Sequence, residues 1–292
     1  MPTESNTEGL PLPWRRLDSD TVVSPSEKSV GVVNSYPESV SKSQWMEARL
    51  ALLAREKQLT KELDALNAER RRLPMVKIEK QFIFEGENGP VTLLDLFEGR
   101  DQLIVHHFMF GPNWNAPCTS CSSAADGIGN LRQLHARNTS LVAISRAPIA
   151  KLVEYKERMG WKFPWLSSFG SDFNFDFHAT LDDTVAPVML HFKTKDDLEK
   201  TGTPWSKGDP KPWSVTLNGT EMPGLSVFLR VGDEVFMTYN TFGRGIEQFH
   251  NGYPYLDLTP LGRQEAWEEP AGRSTPLGLQ VGGPGLKLPD LY

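Results

Sequence analysis

The sequence predicts an α/β domain built on a central mixed sheet, and three stretches carry that expectation. Residues 103–110 (LIVHHFMF) form a short apolar and aromatic run of strand length. From Thr119 the register turns helical, with Cys121, Ala124, Ile128, Leu131 and His135 on one stripe, and residues 141–145 supply the next strand. A strand, helix, strand order of this kind calls for a right-handed parallel crossover. Residues 225–230 and 234–239, joined across Gly232 and Asp233, add an antiparallel hairpin, so the sheet is mixed.

At 292 residues, 39% of them apolar, the chain is long enough for one substantial domain with extensions. Residues 1–42 are rich in Ser, Pro, Thr and Glu and are expected to form a disordered arm. Residues 43–74 read as a long amphipathic helix: Trp45, Leu52, Leu59 and Leu66 recur every seven residues, and Leu53 and Leu63 widen the stripe. Ser43 is the expected N-cap, Arg70, Arg71 and Arg72 suit the last turn, and Pro74 ends it. We expect this helix to dock on its own domain; the alternative is a homodimer seam.

Phe82, Phe84 and the turn 86–89 open a hairpin, followed by a short helix, 93–97, capped by Thr92. Gly111, Pro112, Asn113, Asn115 and Pro117 then punctuate a tight loop before the cysteines. After strand 141–145 come Arg146 and Pro148, which opens a helix over 149–159. Residues 172–178 alternate Asp, Phe, Asn, Phe, Asp, Phe, His, the pattern of a strand with one wet face. Its polar row, Asp172, Asp176 and His178, either lines a site or faces solvent. An insertion, 179–221, carries Trp205 and Trp213, and Phe242 to Gly245 lead into a final helix ending near Asn251. The domain proper is placed at 75–263, with a flexible Gly/Pro-rich tail at 264–292.

The chemistry concentrates in Cys118-Thr119-Ser120-Cys121, which holds both cysteines of the chain. Cys118 lies at the start of a helix, where free backbone amides and the macrodipole favour a thiolate; it is the candidate nucleophile. Cys121, three residues on and facing the core, is the candidate resolving thiol. A bridge between them closes too small a loop to serve as a staple, so a redox role fits better than a structural one. Arg146, at the carboxyl end of its strand, is expected to point toward Cys118 and lower its pKa, or else to be a solvated arginine at a helix start. Trp114, Trp205, Asp172 and Asp176 are candidates for the substrate surface, with Arg244 a weaker one. The alternative is a metal site: Cys118 and Cys121 with His178, or with His106 or His107, would suit copper or zinc. A structural zinc site finds no second CxxC.

A net charge of -6 without a basic stripe argues against a nucleic-acid partner. No leader-like or bilayer-length apolar stretch is present, so a soluble, cytoplasmic chain is expected. In a reducing compartment a lone CxxC points to catalysis or metal binding rather than to a staple. Nucleotide fingerprints and hydrolase or zincin motifs are absent, and no cofactor is expected.

The strings FMFGPNW, SRAPIAKLVEYKERMGWKFPWLSS, GSDFNFDFH, PGLSVFLR and LDLTPLGR resemble the thioredoxin-like domain-of-unknown-function family numbered 899, over roughly residues 45–263. The resemblance implies a thioredoxin-like three-layer fold in its peroxiredoxin-like elaboration, with the CxxC at Cys118 and Cys121. It also implies a proline opposite the active thiols, a place Pro223 fills. Thr119 and Ser120 stand where many redox-active motifs carry a proline, which leaves the reduction potential open. Asn115 stands where peroxiredoxins place a threonine, which weakens a peroxide-reducing role. The function expected is thiol-disulfide exchange with a disulfide or small-molecule substrate and a dithiol electron donor, or a dithiol reaction on a small organic molecule in specialised metabolism.

Overall fold

The computed structural model describes residues 37–202, 221–249, 252–259 and 288–291. Most of the expected arm and tail, the loop half of the insertion, and Trp205 and Trp213 lie outside them. The strands are β1 (Val76–Lys77), β2 (Ile83–Gly86), β3 (Gly89–Thr92), β4 (Gln102–His107), β5 (Thr139–Ser145), β6 (Trp165–Ser167), β7 (Met189–Leu190), β8 (Lys193–Thr194), β9 (Gly224–Val231) and β10 (Glu234–Phe242). All but β7 and β8, which form a ribbon of their own, lie in one sheet ordered β1-β10-β9-β4-β5-β6-β2-β3. At its centre β4, β5 and β6 run parallel, while β9 pairs antiparallel with β4 and β10 with β9. Two parallel strands followed by an antiparallel hairpin on the first of them is the thioredoxin-like arrangement, as the sequence predicts.

Alternation along the central strands builds a core on each side of the sheet. Leu103 and Val105 of β4, with Val142 and Ile144 of β5, join Phe84, Phe97, Phe173 and Phe228 on one face. Ala143 turns to the other, toward Phe108, Phe110, Trp161, Phe163 and Trp165. The helix predicted over 149–159 is α4 (Ile149–Met159), which buries Leu152 and Tyr155 and ends on Gly160 at φ 70. The helix expected over 93–97 shortens to a 3-10 turn, Asp95–Phe97, whose N-cap is Leu94 rather than Thr92; Thr92 instead brackets the turn, its amide and hydroxyl donating to the Asp95 carboxylate and its hydroxyl accepting from Asp95 N at 3.3 Å.

Four other expectations need correction. The first helix, α1 (Lys42–Arg70), is capped by Ser41 rather than Ser43: Ser41 accepts from Gln44 N and the Gln44 side chain returns to Ser41 N, a capping box that needs glutamine three residues after the cap. Nor does α1 dock along its own domain, since none of its residues is buried. Its last turn meets the sheet, where the Arg70 guanidinium lies over Tyr239 at 4.9 Å. The helix after the cysteines is interrupted: α2 (Thr119–Asp126) stops at Gly127 and α3 (Arg132–His135) resumes later, because Gly127 and Gly129 weaken the intervening turn. Finally, the stretch read as a wet-faced strand is helical, α5 (Phe173–Asp176). Phe173 and Phe177, four apart, pack on each other at 4.6 Å and both meet Phe82, at 5.2 and 5.8 Å. A run this short satisfies either period, and the tertiary partners choose.

Candidate functional site

The loop after β4 delivers Cys118 to the N-cap of α2, as its composition predicts. Its amide donates to Met109 O at 3.0 Å, and its carbonyl accepts from Ser122 N at 3.0 Å and Ser122 Oγ at 2.9 Å. Cys121, one turn on, points its amide at Cys118 Sγ, 3.5 Å away. Both are free thiols and both are buried, each 2% exposed.

Their environments split their acidities. The Cys121 thiol donates to Cys118 and lowers its pKa; burial opposes this, while the amides of Cys121 and Ser120 and the Ser120 hydroxyl reinforce it. The net direction for Cys118 is down. Cys121 is pushed well up, first by that same donated proton, then by burial and the neighbouring Cys118 charge. One proton held between two sulfurs belongs to the pair, and Cys118 is the end that ionises.

Several elements close this site. Trp114 is buried against the cysteine cluster, and its indole lies so near Gly111 that a Cβ there would meet Nε1 at 2.8 Å. Lys151 of α4 clamps the same loop, its ammonium reaching Pro112 O at 3.1 Å and Trp114 O at 2.9 Å. Asp126, at the end of α2, accepts from Trp161 Nε1 at 2.7 Å. Residues 288–291, expected to be flexible, instead pack here: Leu288 is buried in the cysteine cluster and Asp290 pairs with Arg158 of α4 at 2.6 Å. An apolar anchor and an ion pair outweigh the entropy of so short a segment. Asp290→Lys reverses that pair and is expected to speed alkylation of Cys118 several-fold, read by mass after timed iodoacetamide exposure. An unchanged rate would leave loop 111–117 as the barrier.

Arg146 does not serve the thiols. Its guanidinium pairs with Glu221 at 2.8 Å and lies over the Phe175 ring at 4.6 Å, and it is not among the groups that shift Cys118. Glu221 is buried, also accepts from Thr180 Oγ1 at 2.8 Å, and bridges backbone-to-backbone with Thr180. Thr180 and Glu221 thus join the two ends of the insertion, and Arg146 fastens the Glu221 end to the carboxyl end of β5. A buried carboxylate needs partners, and Glu221 finds them in Arg146 and Thr180.

Asp172 and Asp176 share Lys80, at 2.8 and 2.7 Å, on the outside of α5. His178 follows at φ 53, half-buried, its pKa lowered by burial against the pull of Asp176. Pro223 leads into β9 and accepts from Gly243 N at 3.0 Å, beside the carboxyl end of β4, where Gly224 pairs with His107. Arg244 is an exposed partner of Glu247 at 3.1 Å, well outside the buried cluster. His106 and His107 point to opposite faces, as strand geometry requires. His107 Nε2 shares a 2.8 Å hydrogen bond with Ser226 Oγ and its ring stacks on Phe173, while His106 packs against Phe108. Both are core histidines. Among the described residues no three of His, Cys, Asp and Glu converge to hold a metal ion, so the thiols find no third ligand there.

Sequence reasoning missed Lys151, Ser120 and Leu288. Ser120 was legible inside the motif; a lysine on an outer helix and a leucine far along the chain give no local signal.

The family model described as a bacterial protein of unknown function, DUF899, matches residues 34–276. The chain belongs to the DUF899 family. No curated protein matches this DUF899 chain. Among solved structures it is similar to the peroxidoxin BcpB of Mycobacterium tuberculosis, with 16% identity over 54% of this chain and 77% of that one, at a TM-score of 0.34. Peroxiredoxin Q of Xanthomonas campestris matches at 12% identity over 55% and 79%, TM-score 0.34. A mitochondrial 2-Cys peroxiredoxin of Plasmodium falciparum matches at 13% over 57% and 81%, TM-score 0.34. Among the described residues of the DUF899 chain, no helix is long and apolar enough to cross a membrane.

Proposed function

We propose that this DUF899 protein is a thiol-disulfide oxidoreductase in which Cys118 attacks and Cys121 resolves. The observation that carries the reading is the acidity split between two hydrogen-bonded thiols at the start of α2, Cys118 down and Cys121 up. The Cys118 thiolate attacks one sulfur of a substrate disulfide; a Cys118 mixed disulfide forms and the other half leaves as a thiolate. That leaving group takes the Cys121 proton. Cys121 then displaces the bound half from Cys118, leaving a Cys118–Cys121 disulfide and a substrate reduced by two electrons. A dithiol donor returns them to the protein. A small organic electrophile in place of the disulfide is the variant of this class, and Trp114, packed in the same cluster as the thiols, offers an aromatic wall for either.

Because both thiols are sealed, substrate entry requires loop 111–117 or residues 288–291 to yield. A slow but selective site is the consequence.

The testing experiment is redox titration of the full chain with mass readout after alkylation, combined with a pH profile of modification. Cys118 is expected to react with a midpoint below the ordinary thiol range and Cys121 only well above it. Cys121→Ser is expected to accumulate the Cys118 mixed disulfide with a small disulfide probe. Equal pH midpoints for the two thiols, or no reversible Cys118–Cys121 couple across the range of dithiol buffers, would sink the proposal.

A further inference from the structure

The long helix α1 leaves its apolar residues unpartnered among the described residues. Trp45, Leu52, Leu59, Leu63 and Leu66 are each about half exposed or more, although they repeat along one line of a 29-residue helix about 43 Å long. Side chains of Leu52, Arg55, Glu56, Gln58, Leu59 and Glu62 frame a shallow groove along that line. Burying such a line takes a second surface of matching length and period, and another copy of α1 offers one.

The charges choose the orientation. If Trp45, Leu52, Leu59 and Leu66 form one edge of a seam, the neighbouring edge is Arg49, Glu56, Leu63 and Arg70. Two parallel copies would set Arg49 against Arg49, Glu56 against Glu56 and Arg70 against Arg70, like charges inside the seam. Antiparallel copies set Leu52 against the partner's Leu63, Leu59 against the partner's Glu56, and Leu66 against the partner's Arg49. Within each helix Arg49 and Glu56 already neutralise each other at 2.9 Å, so their stems cover the leucines while their heads stay wet. In the same register Arg55 flanks the partner's Glu62, and by symmetry Glu62 flanks the partner's Arg55.

We propose that α1 is a homodimerisation element that pairs antiparallel with α1 of a second copy, in the register that sets Leu52 against the partner's Leu63. The seam is narrow and carries polar residues, so the association is modest and salt-sensitive.

The test is sedimentation equilibrium of the full chain. Wild type is expected to dimerise, and Leu59→Asp to be monomeric with unchanged thiol alkylation. Arg55→Glu alone and Glu62→Arg alone are each expected to weaken dimerisation roughly tenfold, by turning two attractions into two repulsions. The double variant Arg55→Glu/Glu62→Arg restores it, which a merely structural role of either residue would not do. Leu52→Cys/Leu63→Cys is expected to cross-link two chains where Leu52→Cys alone does not. A wild type that stays monomeric at high micromolar concentration would overturn the proposal, whether α1 remains bare or is covered by the chain's own first residues. Cross-linking by Leu52→Cys alone, or a double charge swap that fails to restore the dimer, would overturn the antiparallel register.

Discussion

Arg146→Met is expected to cost about 3 kcal/mol of stability at neutral pH, the low end for breaking a buried ion pair, because Arg146 keeps some solvent contact. The loss comes from what stays behind. Glu221 is buried, and burial raises its pKa while Arg146, Thr180 and Asn174 pull it down. Without the guanidinium the carboxyl rises further, and the folded variant holds a proton that the unfolded chain releases. Over that window the folded state binds more protons, so stability falls as pH rises and recovers as pH drops toward the ordinary glutamate range. Urea midpoints of variant and wild type at pH 5 and pH 7 check this: the deficit should shrink at pH 5. An equal deficit at both would mean that Arg146 acts through its stacking on Phe175 alone. Thiol alkylation should keep its pH midpoint in the variant, because Arg146 belongs to the insertion clamp.

His107 gives the opposite slope. Burial, with a smaller push from His106, lowers its pKa to about 3, and among the described residues its Nδ1 meets no hydrogen-bond partner. A second proton on the ring would have no acceptor. The unfolded chain takes that proton near pH 6.5, so the stabilisation is fully present above that pH and is lost as pH falls toward 3. The expected decline from this one ring is about 1.4 kcal/mol per pH unit within the window. His107→Asn should flatten that part of the stability profile, even if it lowers stability at neutral pH by disturbing the Ser226 contact. If the profile keeps its slope in the variant, another group sets the acid limit.

These two residues mark where sequence reasoning carries and where it stops. A strand places His106 and His107 on opposite faces by its two-residue period, and nothing more was needed to see that both could not reach one site. Arg146 was placed correctly at the carboxyl end of β5, yet its target was not legible, because Glu221 lies 75 residues away at the far end of an insertion. Asp172 and Asp176 read as a wet strand face for a similar reason. What made them a helix surface was Lys80, 92 residues upstream, and two phenylalanines from β2 and its approach.

By itself the sequence determined the strand, loop and helix that bring Cys118 to the N-cap of α2, the limits of α4, the closing hairpin, and the place of Cys121 one turn further on the buried side of α2. Each rests on residues a few places apart, where hydrogen bonding and side-chain period act within one element. Only the tertiary structure decided that both thiols are sealed, that Lys151 and Leu288 help to seal them, that Arg146 pairs with Glu221 of the insertion, and that no residue of α1 is buried. Those outcomes depend on pairs such as Arg158 and Asp290, 132 residues apart. No local pattern encodes them, because the energy that selects each partner exists only once the chain has brought the alternatives together.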